Sequence, residues 1–420
     1  MPIILKILIS LAAILTIQRL SKQLILAVTG GTLLLAFWSG HSLSSFARVA
    51  GDRFLSIDNF ALLIIIALVI WLSMQMAKTG AMKDLLGSVK GLFPGRASAA
   101  VLPAVIGLLP MPGGALFSAP LVEEHLAETN VQPLLKTKIN YWFRHIWEYW
   151  LPLYPGVLVA IDITGLDPLV FMAAMAPLSL ASITIGYFFF LRKIKKTKRQ
   201  RGGSVLAFLK PLVPIMIIIA VYALVQAIFP GLKEVSHYLP ITAGIIFAII
   251  IQQIMKPLDK KDWKEILTTN KTVNMVLIVA VIRIYGAVIE SEIPGSGKLF
   301  DLLQAELANA GIPALALIIL LPFISAITTG IAVGFAGAGL PIAMQLVGAN
   351  PSLWHIISIA VLAYGSGYVG LLLSPVHVCL IVTNEHFKTG LFSSISKLLL
   401  PALILFAVIC LWSFSINLLS

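Results

Sequence analysis

The chain has 420 residues, of which 59% are hydrophobic and only 11% are charged, and its mean hydropathy is +0.98. Soluble domains carry roughly 25% charged residues, so this composition excludes a soluble protein and predicts a polytopic membrane protein. The formal net charge of +12 does not indicate nucleic-acid binding, because the basic residues stand in short loops beside apolar runs. We therefore expect a multi-pass protein of the cytoplasmic membrane whose surroundings are the lipid bilayer, with no nucleic-acid partner.

Apolar runs of spanning length predict ten transmembrane helices. They lie at 3–18, 23–38, 59–76, 141–161, 166–191, 206–229, 237–255, 273–290, 353–382 and 395–416. The first run lacks a small-x-small cleavage site, which favours a span over a signal peptide. The basic run RKIKKTKRQR at 192–201 is the strongest cytoplasmic signal, and the net acidic loop 290–311 then falls outside together with both termini.

Two further apolar stretches, 103–120 and 313–341, are interrupted near their middles. The first breaks at Pro110, Pro112, Gly113 and Gly114, and the second breaks at Thr328, Thr329 and Gly330. Proline removes a backbone donor and glycine favours irregular backbone. Such backbone is tolerated at membrane depth only when it is buried in protein or lines a watery cavity. We interpret the two stretches as re-entrant helical hairpins at about 98–124 and 311–346; a kinked ordinary span is the alternative.

The order of elements occurs twice along the chain. Residues 68–120 and 280–341 both run through an apolar span, a polar turn with glycine, an amphipathic segment containing Asp-Leu-Leu and a broken apolar stretch. The spans that follow each contain a proline, in LPLYPG at 151–156 and LLLSPVH at 371–377. Corresponding interruptions in two halves of a membrane protein are typical of a transporter binding site.

Five spans and one hairpin in each half make an odd number of crossings, so the two halves are expected to be inverted. The first repeat covers 1–192 and the second covers 206–420, joined by a basic cytoplasmic linker at 193–205. The predicted fold is an all-α integral membrane protein with about ten transmembrane helices and two re-entrant hairpins in two inverted-topology repeats.

The segment NYWFRHIWEYWLPLYPG at 140–156, with PMPGG upstream, resembles the membrane protein family named domain of unknown function 401. This family is grouped with the ion transporter superfamily of citrate, dicarboxylate, arsenite, gluconate and lactate carriers. The resemblance covers essentially the whole chain and implies a homodimeric secondary carrier with an elevator-like movement of the hairpins and broken spans. The sodium/dicarboxylate branch has Ser-Asn-Thr at its tips, whereas this chain has Pro-Met-Pro-Gly-Gly and Thr-Thr-Gly. We therefore favour protons over sodium as the coupling ion.

The two tips and the mid-span prolines are the predicted site for substrate or ion. A half-helix beginning near Gly114 attracts anions through its unpaired N–H groups, and Ser118 adds a hydroxyl one turn later. In the ninth span, proline is expected to leave carbonyls near 370–371 available. The candidate residues are Pro110, Pro112, Gly113, Gly114, Ser118, Thr328, Thr329, Gly330, Ser374 and Pro375.

A charged cluster in the fourth span contains Arg144, His145 and Glu148, whose spacing predicts one shared helical face. Ionisable groups inside a bilayer mark substrate or proton pathways by default. Arg144 can bind an anion bidentately, while Glu148 or His145 can change protonation. His377 is a further candidate for proton coupling, and Asn140 is expected to be the N-cap of this helix. The alternatives are a structural Arg144–Glu148 ion pair among interfacial aromatic residues and a buried, satisfied His377.

The motifs H-E-x-x-H, G-x-S-x-G and the P-loop are not found in the sequence, so we expect neither an enzyme nor nucleotide-driven transport. Cys379 and Cys410 lack a C-x-x-C spacing and are expected to be buried hydrophobes, so no metal or other cofactor is expected. The sequence predicts a secondary transporter of a small organic anion, coupled to H⁺ or Na⁺. A passive channel, a lipid or headgroup flippase, and an intramembrane enzyme using His145 and Glu148 as acid and base stay open as alternatives.

Overall fold

A computed structural model describes the chain as a helical protein with one short strand pair. The described residues are 2–93, 95–108, 114–127, 129–194, 204–236, 238–293, 297–348 and 350–419. The predicted tip residues Pro110, Pro112 and Gly113 and residues 195–203 of the basic linker lie outside these ranges.

In the first half, the described residues form ten α-helices. They are α1 (Ile3–Ser21), α2 (Leu24–Trp38), α3 (Leu43–Phe54), α4 (Ile57–Lys78), α5 (Ala81–Leu92), α6 (Gly95–Gly107), α7 (Ala115–His125), α8 (Pro133–Arg144), α9 (Pro155–Thr164) and α10 (Pro168–Phe189). A 3₁₀ turn follows at Leu191–Lys193.

The described part of the second half forms thirteen α-helices, a 3₁₀ turn at Lys210–Leu212 and the strand pair. The helices before the strands are α11 (Val205–Leu209), α12 (Val213–Ile228), α13 (Leu232–Val235), α14 (Leu239–Met255), α15 (Lys260–Leu267) and α16 (Asn270–Glu290). Strands β1 (Glu292–Ile293) and β2 (Gly297–Lys298) pair antiparallel, with Glu292 opposite Lys298. The later helices are α17 (Leu299–Ala310), α18 (Ala314–Thr329), α19 (Ala332–Ala338), α20 (Leu340–Gln345), α21 (Leu353–Leu372), α22 (Val378–Phe387) and α23 (Leu391–Asn417).

Seven helical stretches of the described chain are long and apolar enough to cross a membrane. They are Ile3–Ser21, Ile57–Lys78, Pro168–Lys193, Val205–Ile228, Lys260–Glu290, Leu353–Leu372 and Leu391–Asn417. Each overlaps a predicted span, and the predicted runs 23–38 and 237–255 form the shorter apolar helices α2 and α14. The helical fold class is confirmed, and seven stretches have the length and composition of membrane spans, while the count of ten spans and two re-entrant hairpins stays a prediction.

The fourth predicted span, 141–161, is wrong as a continuous helix. Helix α8 begins at Pro133 and ends at Arg144, and α9 begins only at Pro155. Proline suits both starting positions because its missing N–H has no helical acceptor in the first turn. Asn140 consequently lies inside α8 and is not the N-cap that we predicted. Turns fill the gap between the helices, so Glu148 does not share a helical face with Arg144.

The ninth predicted span, 353–382, is interrupted in a similar way between α21 and α22. The prediction that carbonyls near 370–371 are available is wrong, because Gly370 O accepts from Leu373 N and Leu371 O accepts from Ser374 N, both at 3.2 Å. The hydroxyl of Tyr141 lies 3.3 Å from Leu371 O as well. Donors from the turn and from α8 therefore satisfy the carbonyls that the break leaves unpaired.

Helices of the two halves interlock around these breaks. Helix α9, which follows the break in the first half, packs against α19 of the second interrupted stretch. Helix α22, which follows the break in the second half, packs against α7 of the first interrupted stretch. Gly156 permits the first contact, since a Cβ there would lie 2.6 Å from the Cβ of Ala332. Helices α4 and α16 also cross between halves, packing on α14 and α2 respectively. The two halves are thus in contact at several places, while their relation as two inverted repeats stays a prediction.

A buried ion pair joins α9 to α16 away from the breaks. Arg283 Nη1 pairs with Asp162 Oδ1, and the two side chains are only 7% and 8% exposed. The hydroxyl of Tyr238 donates to the same carboxylate oxygen at 2.5 Å, and Asn59 Oδ1 lies 3.4 Å from Arg283 Nε. Arg283 is therefore paired inside the protein.

We expect Arg283→Met to lower the free energy of unfolding by about 3–5 kcal/mol, because it leaves the Asp162 carboxylate buried without its cation. Adding Asp162→Asn should recover part of that loss. Arg53→Met is the matched control: it breaks the more exposed Arg53–Glu290 pair and should cost less than about 1 kcal/mol. Denaturant unfolding in detergent micelles measures all three, and equal losses for Arg283→Met and Arg53→Met would contradict the role of the buried pair.

Candidate functional site

Five ionisable side chains are buried together where the helices break. Arg144 is 2% exposed, His145 0%, Glu148 6%, His377 7% and Cys379 6%. Charged side chains are almost never buried to this degree unless they are paired, and within a bilayer they indicate function by default. The structure thus brings together the four predicted ionisable candidates and adds a cysteine that the sequence analysis had treated as a hydrophobe.

Arg144, the last residue of α8, lies at the N-terminal end of α7. Gly114 is the N-cap of α7, and a Cβ at this position would overlap the Arg144 guanidinium. A Cβ at Gly107, the last residue of α6, would overlap the Arg144 carbonyl. The two glycines therefore allow α6 and α7 to pack directly against Arg144. The half-helix beginning near Gly114 is confirmed, because α7 begins at Ala115.

The guanidinium also has contacts on its other side. Its Nη1 atom lies 3.4 Å from Cys379 Sγ, which accepts a hydrogen bond, and 4.0 Å from Glu148 Oε1. Glu148 Oε1 is also 3.9 Å from His145 Nε2. Glu148 therefore stands between the arginine and the histidine even though no helix continues through these residues.

The rings of His145 and His377 face each other across the gap between α8 and α22. Their Nδ1 atoms lie 2.6 Å from Tyr141 O and 2.5 Å from Gly330 O, respectively. A carbonyl oxygen only accepts, so each Nδ1 carries hydrogen, and a neutral ring then has a lone pair on Nε2. The two Nε2 atoms are 3.0 Å apart. Two lone pairs at that distance repel each other, so the arrangement requires either a proton shared by the two Nε2 atoms or a metal ion between the rings.

Cys379 completes a group of three possible metal ligands. One ligand atom from each of His145, His377 and Cys379 lies within 4.8 Å of the others. The sequence analysis missed this residue, although Cys379 stands two positions after His377 in a His-x-Cys pattern. That local pattern was the only signal, since the partner His145 is more than two hundred positions away.

Tyrosine hydroxyls hold the turn that carries His145 and Glu148. Tyr364 donates to Glu148 O at 2.8 Å, and Tyr368 donates to His145 O at 2.6 Å, both from α21. Tyr141 donates to Leu372 O at 3.1 Å across the second break. These hydroxyls replace the helical N–H donors that are missing in the turns.

The aromatic residues of this segment do not form an interfacial belt. Tyr141, Trp142 and Tyr149 are at most 2% exposed. Trp142 Nε1 donates to Ser182 O at 2.8 Å, and Tyr149 hydrogen-bonds the Ser182 hydroxyl at 2.6 Å. These side chains anchor the segment to α10 inside the protein.

The second predicted tip adjoins the same site. Gly330 has φ +66°, which favours glycine, and this residue ends α18 so that its carbonyl reaches His377. Thr329 is buried and donates to Ser325 O at 2.7 Å, whereas Thr328 is exposed and donates to Ile324 O at 2.6 Å. Ser374 donates to Ile327 O at 2.6 Å and so joins the break before α22 to α18.

The remaining predicted residues occupy different positions. Asn140 donates from Nδ2 to Thr383 Oγ1 at 3.1 Å and so connects α8 to α22. Ser118 is fully buried in α7, and its hydroxyl has no hydrogen-bond partner among the described residues. Pro375 is half-buried in the turn before α22. Asn384 is buried within α22.

Fold and site together define a helical membrane protein with a buried ionisable centre between interrupted helices. Residues 4–416 match the family described as protein of unknown function (DUF401), and the chain belongs to that family. The family resemblance drawn from the sequence is therefore confirmed, while its placement in the ion transporter superfamily stays a prediction. A search of the curated proteins found no match.

We expect Gly114→Ala to destabilise the protein by about 1–3 kcal/mol, because its Cβ displaces the buried guanidinium. Gly87→Ala is the matched control, since a Cβ at that position in α5 meets nothing within 4 Å. This control should be neutral or stabilise by about 0.5–1 kcal/mol through helix propensity. Thermal unfolding in detergent compares the two variants, and equal midpoints would show that Gly114 does not have to accommodate Arg144.

Proposed function

We propose that the protein is an ion-coupled secondary transporter that carries a small organic anion across the cytoplasmic membrane and catalyses no reaction. The observation that carries this proposal is the position of the Arg144 guanidinium against Gly114, at the N-terminal end of α7. A helix N-terminus carries about +0.5 elementary charge, so two positive groups meet in a buried place. An anion bound between them would remove their repulsion.

The chemistry available there fits a carboxylate or a similar anion. A guanidinium presents parallel N–H donors that match a carboxylate bidentately. Helix N-termini bind anions through N–H groups that have no acceptor within the helix, and in α7 the N–H groups before Phe117, whose own N–H donates to Gly114 O, are the proposed donors. The buried Ser118 hydroxyl, one turn into α7, has no partner among the described residues and is a further donor.

An elevator-like movement is supported by the way the helices pack. The interrupted stretches and the helices after the breaks contact one another across the halves, in α9 with α19 and α22 with α7. A second set of contacts joins α1 with α2 and α12 with α14, and α1 also packs against α18 where the two sets meet. We propose that the first set moves as a carrier against the second set, within an inverted-repeat homodimer. Discontinuous helices of this kind commonly form the binding sites of secondary transporters.

Protons are favoured over sodium as the coupling ion. The cluster contains imidazole and carboxylate groups, which form proton relays in membrane proteins. By contrast, the Thr328 and Thr329 hydroxyls at the second tip donate to carbonyls of their own helix. Imposed proton and sodium gradients distinguish the two ions directly.

We expect Arg144→Ala to weaken anion binding and uptake at least about tenfold, because loss of a buried charged partner costs about 2–5 kcal/mol. Arg144→Lys should retain part of the function, since it keeps the charge but not the bidentate geometry. Arg53→Ala serves as the control because Arg53 lies in α3, outside the site. The measurement is uptake into liposomes from a library of organic anions under each gradient, with anion-dependent thermal shift in parallel.

Each alternative function predicts a different result in these assays. Flux without concentration of any solute indicates a passive channel, and scrambling of labelled lipid headgroups indicates a flippase. Product formation by solubilised protein without a gradient indicates an enzyme. The transporter proposal fails if no anion is ever concentrated, and the assignment of Arg144 fails if Arg144→Ala behaves like the control.

A further inference from the structure

We propose that His145, His377 and Cys379 form a binding site for a transition-metal ion of the zinc class. The site lies beside Arg144 and uses different atoms from the proposed anion site. It shares its two imidazoles with the proposed proton relay, whereas Glu148 belongs to that relay and is not a metal ligand. This inference goes beyond the proposed transport function and does not depend on it, because metal binding is measurable in protein that transports nothing.

The spacing of the three donors comes within about 1 Å of the spacing that such an ion requires. Zinc binds histidine nitrogen at about 2.0–2.1 Å and cysteine sulfur at about 2.3 Å, so tetrahedral neighbours stand about 3.3–3.8 Å apart. The two Nε2 atoms are 3.0 Å apart, and all three ligand atoms lie within 4.8 Å of one another. To complete a tetrahedral arrangement, the rings would move by a few tenths of an ångström and the sulfur by about one ångström.

The outer contacts of the histidines are those that a metal site needs. Histidine ligands generally donate their second ring N–H to a carbonyl or carboxylate, which fixes the tautomer and the direction of the free lone pair. The Tyr141 and Gly330 carbonyls occupy that position for His145 and His377. Both Nε2 lone pairs consequently point at the same place, where repulsion between them already requires a proton or a metal ion.

Two negative groups offset the charge of a dication at this position. Cysteine binds metals as the thiolate. The thiolate and the Glu148 carboxylate neutralise a dication, and the Arg144 guanidinium beside the sulfur leaves the cluster with one net positive charge in place of three. Glu148 is placed for this role, with Oε1 3.9 Å from His145 Nε2. Arg144 donates to the sulfur at 3.4 Å and is the outer partner of that ligand.

The donor set selects the class of metal. Imidazole and thiolate suit zinc, cobalt and their neighbours, whereas magnesium and calcium require oxygen ligands. The competing occupant is a single proton shared by the two rings. A proton satisfies the histidine pair but makes no use of Cys379, so the sulfur is the atom that distinguishes the two occupants.

The test is titration of the metal-stripped, full-length protein in detergent with Co²⁺ and then with Zn²⁺. We expect one cobalt per chain, a near-ultraviolet thiolate-to-cobalt charge-transfer band, and loss of that band on adding zinc. Cys379→Ser should abolish the band. Cys410→Ser, the matched control with its half-buried cysteine on α23, should keep it. His145→Ala and His377→Ala should each weaken cobalt binding by more than about tenfold.

X-ray absorption at the zinc edge tests the unmodified protein, so a variant that fails to fold does not decide the outcome. We expect one sulfur near about 2.3 Å and nitrogen or oxygen ligands near about 2.0–2.1 Å. A coordination shell without sulfur, or no tightly bound metal at all, would overturn the proposal and leave the histidines sharing only a proton. A protein that binds cobalt through Cys379 but concentrates no anion would refute the transport proposal alone.

Discussion

Every backbone polar group at membrane depth must find its partner inside the protein, and the whole arrangement depends on this constraint. The chain leaves helical geometry at 145–154 and again at 373–377. Hydroxyls of Tyr141, Tyr364 and Tyr368 donate to carbonyls at these breaks. Because side chains of neighbouring helices supply those bonds, the breaks are possible only while α8, α21 and α22 stay packed together.

The same breaks give the site its chemistry. In an unbroken helix, helical geometry would fix the directions of the Arg144 and His145 side chains. The turn instead directs the guanidinium toward α7 and the imidazole toward His377. The guanidinium therefore lies beside the positive N-terminal end of α7, whereas the rings of His145 and His377 require a proton or a metal ion between them. Glu148 lies within about 4 Å of both groups, at 4.0 and 3.9 Å. An anion and a cation bound in these neighbouring places would stabilise each other, which is the physical basis of coupled transport.

Local rules predicted the parts of the fold that local chemistry decides. Apolar runs predicted the spanning helices, and Gly330 and Pro155 marked real helix boundaries because their effects on φ and on backbone donors do not depend on distant residues. The Asn140 cap was wrong because the helix starts before the apolar run does, at Pro133. Contacts between distant residues were beyond reach: Arg144 and Cys379 stand 235 positions apart, and no periodic pattern connects them.

The most direct test of the central claim is an experimental density map of the protein with the anion that most raises its unfolding temperature. We expect density for that anion between the Arg144 guanidinium and the first turn of α7, in contact with both. A map that shows the anion elsewhere, with Arg144 still in contact with Glu148 and Cys379 and not with the anion, would contradict the claim that this buried arginine is the substrate-binding group.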